Sequence, residues 1–207
     1  MTKKREATEA RLVKAMGEVL ADKGFAKVGV NAVARQADVD KVLIYRYFNG
    51  LEGLMKAYAE SADFWPSSEE ILGEGESYED LRSRTFSQTF AEVFRRYAKA
   101  LIARPLTLEI LSWETVERNA LTIALEKVRE ERGLELMAHL SQVDVPQGDW
   151  LAISNIFSGA IHYLAIRARK ISTFTGMDLG SEESWDRLID SMEFLVRAVE
   201  QGKMDKQ

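Results

Sequence analysis

Residues 24–55 read GFAKVGVNAVARQADVDKVLIYRYFNGLEGLM, two short apolar-patterned segments joined by a tight turn and followed by the start of a third. Val30, Val33, Ala34 and Ala37 recur at helical spacing and give one apolar stripe over about two turns. Isolated helices below roughly 12 residues barely form in water, so this one must pack on neighbours. Ala37-Asp38-Val39 breaks the period, and Asp tolerates left-handed backbone better than most residues, which places Asp38 inside the turn. Asp40 stands at an N-cap position, with Val39 and Ile44 spaced as a hydrophobic staple, so a second helix starts near Lys41. Ile44 and Phe48 share the buried face of that helix, leaving Lys41, Val42, Leu43, Arg46 and Tyr47 outward or at its flanks. Asn49-Gly50-Leu51-Glu52 has the N-x-x-E spacing of a capping box that opens the next helix. The order helix, turn, helix makes double-stranded DNA the first partner to test.

Outward from this stretch the pattern stays helical. An amphipathic helix over Glu6 to Lys23 precedes it, and another runs from Leu51 to the neighbourhood of Phe64-Trp65-Pro66, where proline restricts its predecessor. Ser67 to Ser77 reads as a linker, and Tyr78 to Ala103 as one long amphipathic helix ended by Pro105. A short helix carries Leu108, Leu111 and Trp113, a longer one spans Thr115 to Leu140, and Asp144 to Asp149 is a connection. Trp150 to Ile171 is apolar almost all round, with Ser158-Gly159-Ala160 allowing a close helix approach. After a loop over Thr175 to Ser184, Trp185, Leu188, Ile189, Met192, Leu195, Val196 and Val199 form a wide stripe. Two such helices can meet a symmetry mate as a four-helix bundle; a monomer core helix would carry the same periodicity.

The segment resembles the DNA-binding region of the TetR family of bacterial transcription regulators. The resemblance is carried by the helix over Glu6 to Lys23, Gly24-Phe25, Val33-Ala34, Ala37-x-Val39, Tyr45-x-x-Phe48 and Glu52-x-Leu54. It implies an all-α chain: a three-helix helix-turn-helix DNA-binding domain over residues 1–50, then a larger helical ligand-binding and dimerisation domain over residues 51–207. The dimerisation helices fall at about 149–171 and 182–201. By position the DNA-facing residues are Gly29, Asn31, Lys41, Val42, Leu43, Tyr45, Arg46 and Tyr47. Arg46 and Tyr47 are candidates for phosphate, Lys41 and Asn31 for base edges, and Val42 or Leu43 for a thymine methyl. The chain departs from the family where Gly29 replaces a hydroxyl residue, Asp38 a glycine, Val42-Leu43 a small pair and Leu51 a lysine. A hydroxyl and a cation for phosphate are thereby absent, and Lys3, Lys4 and Arg5 are read as a mobile basic arm that compensates.

Charge agrees with that division. Residues 1–60 hold 11 Lys and Arg against 8 Asp and Glu, a surplus of three positive charges, whereas the whole chain carries −5. The acidic part is therefore not the DNA-facing part. The chain has no cysteine, which removes disulfides and thiolate metal sites and suits a reducing cytosol, and a cytoplasmic location is expected. It has no secretory h-region and no long uncharged apolar run, so no membrane partner is expected.

Phe86, Phe90, Phe94, Trp113, Met137 and Phe157 supply aromatic and soft apolar surface from four helices, as walls of a pocket or as ordinary core. The family resemblance favours a pocket for a small apolar or aromatic effector whose binding releases a palindromic operator from a homodimeric repressor. No cofactor, metal or catalytic group is expected. His139 and His162 lie on separate helices outside any metal-binding motif, and P-loop, GxGxxG and GxSxG patterns are missing. A helical adaptor that binds protein, or a small helical enzyme, are the competing readings.

Overall fold

The computed structural model describes residues 3–61, 64–140 and 146–204, with side chains as far as residue 201. Among these the helices are α1 (Lys3–Lys23), α2 (Val30–Gln36), α3 (Val42–Phe48), α4 (Leu51–Ala59), α5 (Ser68–Leu72), α6 (Glu76–Ser83), α7 (Phe86–Ile102), α8 (Pro105–Glu114), α9 (Ala120–Leu140), α10 (Trp150–Ala168) and α11 (Glu182–Met204). A 3-10 turn covers Phe25–Lys27. Among the described residues the strands are confined to an antiparallel hairpin, β1 (Thr173–Phe174) and β2 (Met177–Asp178). The fold is all-α, as the periodicity predicts.

The chain forms two compact units, Met1–Trp65 with Arg104–Gly133, and Pro66–Ala103 with Leu134–Gln207. In the first, α1 packs on α2, α4 and α8, and α3 packs on α4. Leu12, Met16 and Leu20 of α1, Val33 of α2, Ile44 of α3, Leu54 and Met55 of α4, Ile110 of α8 and Leu125 of α9 are all fully buried. Each such side chain contributes about 1.5–3 kcal/mol relative to exposure, which is what lets two seven-residue helices persist. A Cβ at Gly17 would collide with the Tyr58 ring, so the bare backbone there sets the close approach of α4 to α1. Thr107 Oγ1 donates to the Phe64 carbonyl at 2.6 Å, and Trp113 Nε1 to the Ala21 carbonyl at 3.4 Å.

In the second unit α7 is central and packs on α5, α6, α10 and α11. The single helix predicted over Tyr78 to Ala103 is divided. Thr85 caps α7, its hydroxyl accepting from Gln88 N–H while the Gln88 side chain accepts from Thr85 N–H, and this capping box ends α6. The linker predicted over Ser67 to Ser77 contains α5, opened by Ser67, whose hydroxyl accepts from Glu70 N–H. Pro105 opens α8 rather than merely ending α7, its missing N–H costing nothing in a first turn. The helix predicted from Thr115 begins at Ala120, because the Asn119 side chain accepts from Leu121 and Thr122 N–H. α4 stops at Ala59, short of the predicted Phe64-Trp65-Pro66, and the loop over Thr175 to Ser184 includes a hairpin strand and the first turn of α11. Asp144 and Val145 of the predicted connection lie outside the described residues.

Candidate nucleic-acid interface and effector region

The α2–α3 turn is held from α1. Arg11 Nη2 donates to the carbonyls of Ala37 and of Asp38, the latter at 2.9 Å, so the carbonyls at the end of α2 have a cationic donor. Asp38 adopts φ +51°, the left-handed conformation its place in the turn predicts. Its carboxylate is fully exposed and lies 3.9 Å from Arg11. Asp40 Oδ1 accepts from Val42 N–H at 2.9 Å, which makes Asp40 the side chain that caps α3, although regular helix starts one residue past Lys41. At the far end Asn49 closes α3 in a left-handed conformation, φ +58°. The capping box expected over Asn49 to Glu52 is therefore not made: Asn49 ends one helix, and Gly50, at φ +110°, precedes the next without a side-chain cap.

Burial sorts the predicted DNA-facing residues. Asn31, Lys41, Arg46, Val42 (59% exposed) and Tyr45 (58%) face solvent. Gly29, Leu43 and Tyr47 are half-buried, and the Arg5 guanidinium sits 4.9 Å from the Tyr47 ring centre. Ile44 is fully buried as predicted, whereas Phe48 is only half-buried. Gly29 has extended backbone and no atom near the position of a Cβ, so the fold does not require glycine where the family has a hydroxyl. Lys3, Lys4 and Arg5 are not an arm but the first turn of α1, and Arg5 bonds Glu9 at 2.7 Å. Two exposed cations escaped the sequence reading, Lys27 before α2 and Arg35 on it; like Lys41 and Arg46, they have no ion pair among the described residues. Their signal was a positive charge beside the apolar stripe, which the stripe itself obscured.

The predicted effector-lining residues separate. Phe86, Phe90 and Phe94 of α7 and Phe157 of α10 form one ring cluster in the second unit. Centroid separations are 5.8 Å for Phe86–Phe90, 4.8 Å for Phe90–Phe94, 5.7 Å for Phe90–Phe157 and 5.9 Å for Phe94–Phe157. Trp150 joins edge-on to Phe86 at 4.6 Å, a member that the apolar run of α10 concealed. Trp113 belongs to the first unit, where its ring covers Gly24; at φ +71°, a Cβ on Gly24 would lie 2.9 Å from that ring. Met137 is half-buried on α9. A separate depression of about 330 Å³ between α7 and α11 is lined by Arg84, Gln88, Ala91, Glu92, Arg95 and Glu193, charged groups already drawn into ion pairs.

α10 turns Leu151 (61% exposed), Ile156 (66%) and Tyr163 (53%) to solvent, and α11 turns out Phe194 (68%) and Leu195. Gly159 lies between Ile156 and Tyr163 with open space about it. His139 is exposed, and the His162 Nε2 is hydrogen bonded with the Tyr97 hydroxyl. Among the described residues no group of three or more His, Cys, Asp or Glu is placed to hold a metal, and no helix is long and apolar enough to cross a membrane.

A short helix carried on a capped turn, with cations and an exposed apolar pair on its outer face, has the geometry of a helix-turn-helix. Residues 12–58 match the family described as bacterial regulatory proteins, tetR family. The whole chain is similar to a TetR family transcription regulator from Marinobacter aquaeolei VT8, with 17% identity, 93% of this chain and 97% of that one covered, and a TM-score of 0.66. It is similar to FadR from Bacillus subtilis, solved in complex with stearoyl-CoA, at 17% identity, 90% and 96% coverage and a TM-score of 0.63. A TetR-like regulator from Rhodococcus sp. RHA1 matches at 16% identity, 92% and 96% coverage and a TM-score of 0.60. No curated protein sequence matches the chain significantly. The fold is thus that of TetR-family transcription regulators.

Proposed function

We propose that the protein is a homodimeric, sequence-specific transcription regulator, a repressor that leaves a palindromic operator when a small apolar or aromatic effector binds. The observation that carries this reading is the outer face of α3, where Lys41, Val42, Tyr45 and Arg46 are exposed on a helix fixed at its turn by Arg11 and at its start by Asp40. Residues 1–50 act as the reading head, working from the cytoplasm, and residues 51–207 as the regulatory part. Asn31 and Lys41 approach base edges, Arg46 phosphate, and Gly29, Leu43 and Tyr47 pack close behind them. The added cations Lys27 and Arg35 supply phosphate contacts in place of the missing hydroxyl and lysine.

The outward apolar residues of α10 and α11 support a dimer, since a second copy is the partner that would remove them from water. Two heads on a two-fold axis then require half-sites about 34–36 Å apart or at a multiple of that spacing. The ring cluster around Phe90 is the region proposed for the effector, and the fold shared with a regulator solved with stearoyl-CoA supports an apolar ligand. Its rings are closely packed, so an effector must displace some of them, and a coupling of about 1–3 kcal/mol is what an allosteric release of this kind needs. Selection of bound fragments from a genomic pool tests the reading. Enriched inverted repeats, bound with an affinity that falls steeply with salt, are expected; a pool with no enriched sequence overturns it.

A further inference from the structure

Resting on that DNA-reading proposal, we infer that the operator half-site is read through a thymine methyl group packed against Val42, so that affinity depends on a methyl and not only on hydrogen bonds. The leading turn of α3 is short of groups that can read a base edge by hydrogen bonding. One oxygen of the Asp40 carboxylate, a group that could accept from a cytosine amino group, is engaged by Val42 N–H at 2.9 Å. Leu43 and Tyr47 are half-buried, and the Tyr47 ring is covered by Arg5 at 4.9 Å. Ile44 is fully buried.

What remains outward at this end beside the capping Asp40 is Lys41 and Val42, with Tyr45 and Arg46 one turn further on. Val42 is a β-branched side chain with 59% of its surface in water and one favoured rotamer in a helix, a stiff apolar knob at the end of a recognition helix that enters the groove. In the major groove the thymine C5-methyl is the apolar group that a base pair offers such a knob. Lys41, beside it, has no ion pair among the described residues and is suited to guanine O6 and N7. The half-site then carries a guanine contact and a methyl contact from neighbouring residues.

The test uses the full-length protein and the operator recovered by genomic selection. Each thymine of the half-site is replaced in turn by deoxyuridine, which removes the methyl and keeps the pairing. Burial of one methyl-sized group predicts an affinity loss of about fourfold at one thymine, and about fifteenfold when both half-sites are changed. Val42→Ala should bind uracil and thymine operators alike, while Lys41→Ala should keep the full uracil penalty. At the same position 5-methylcytosine should bind more tightly than cytosine. Uracil substitution without effect at every thymine, or a penalty that survives Val42→Ala, overturns the inference and leaves DNA binding standing. A genomic pool without any enriched sequence instead removes the reading on which the inference rests.

Discussion

Arg11 reaches 26 residues along the chain to the carbonyl of Ala37, and one residue further to that of Asp38. The turn therefore owes its shape to a helix that is not part of it. Asp38 meets its left-handed conformation at a modest cost that glycine would avoid, and the Arg11 contacts offset that cost. Arg11→Met keeps the aliphatic stem and removes both donors. Because the side chain is half-exposed, a stability loss of roughly 1 kcal/mol is expected, measured by urea denaturation. Operator affinity should fall further than stability, since a turn that wavers misplaces α3; an operator affinity unchanged in this variant would deny Arg11 its positioning role. Asp38 itself was readable from sequence, as an Asp that interrupts a period. Arg11 was not, because a contact across 26 residues leaves no periodic trace.

At the scale of elements, local signals succeeded where side chain and backbone agree and failed where two signals compete. Val33, Ala34 and Ile44 marked α2 and α3 because their spacing and their burial coincide. The apolar spacing over Tyr78 to Ala103 ran straight across Thr85, and there a capping box overrode it. Trp113 was assigned by residue type to a pocket, but an aromatic ring serves equally to seat α8 on α1, which spacing cannot distinguish. The joint between α8 and α9 was equally illegible. Glu114 of α8 pairs with Arg129 of α9 at 2.7 Å, and that guanidinium lies 5.8 Å from the Trp65 ring. Burial raises the Glu114 carboxyl above its ordinary 4.5, more than Arg129 lowers it. A raised folded value means that the native state holds its proton longer than the unfolded chain. The resulting contribution is complete below about pH 4.5 and is lost as pH rises through the folded value. The stability difference between the protein and Glu114→Gln, taken from urea midpoints at successive pH values, should accordingly decline from pH 4.5 upward and then level. A difference that grows with pH would mean that the ion pair outweighs burial.

For the molecule as a whole, the proposed dimer depends on the exposed apolar residues of α10 and α11. Ile156 and Phe194 are exposed, so a charge at either leaves the fold of the subunit intact while penalising any apolar interface that includes it. Ile156→Glu and Phe194→Glu should each retain the helical circular dichroism of the parent. In sedimentation each should raise the dimer dissociation constant by about a hundredfold or more, the scale expected for a central interface residue. A parent that sediments as a monomer at micromolar concentration would remove the dimer from the proposal. α10 was visible in sequence as a helix apolar almost all round and α11 as a wide apolar stripe; which of their residues stay outward became visible only once α7 had claimed the rest.

α1 packs on α2 and α4, which follow it closely, and also on α8, which starts at Pro105. During synthesis these partners arrive at different times. The turn can be gripped by Arg11 once the ribosome has released residue 38, yet Trp113 cannot cover Gly24 and bond the Ala21 carbonyl until far more chain has emerged. For that interval the nascent α1–α4 unit is shaped but unsealed, with the seat of Trp113 uncovered. Translation must pass Trp113 before this seat can be filled, so a chain halted earlier carries an α1 whose α8-facing side is uncovered.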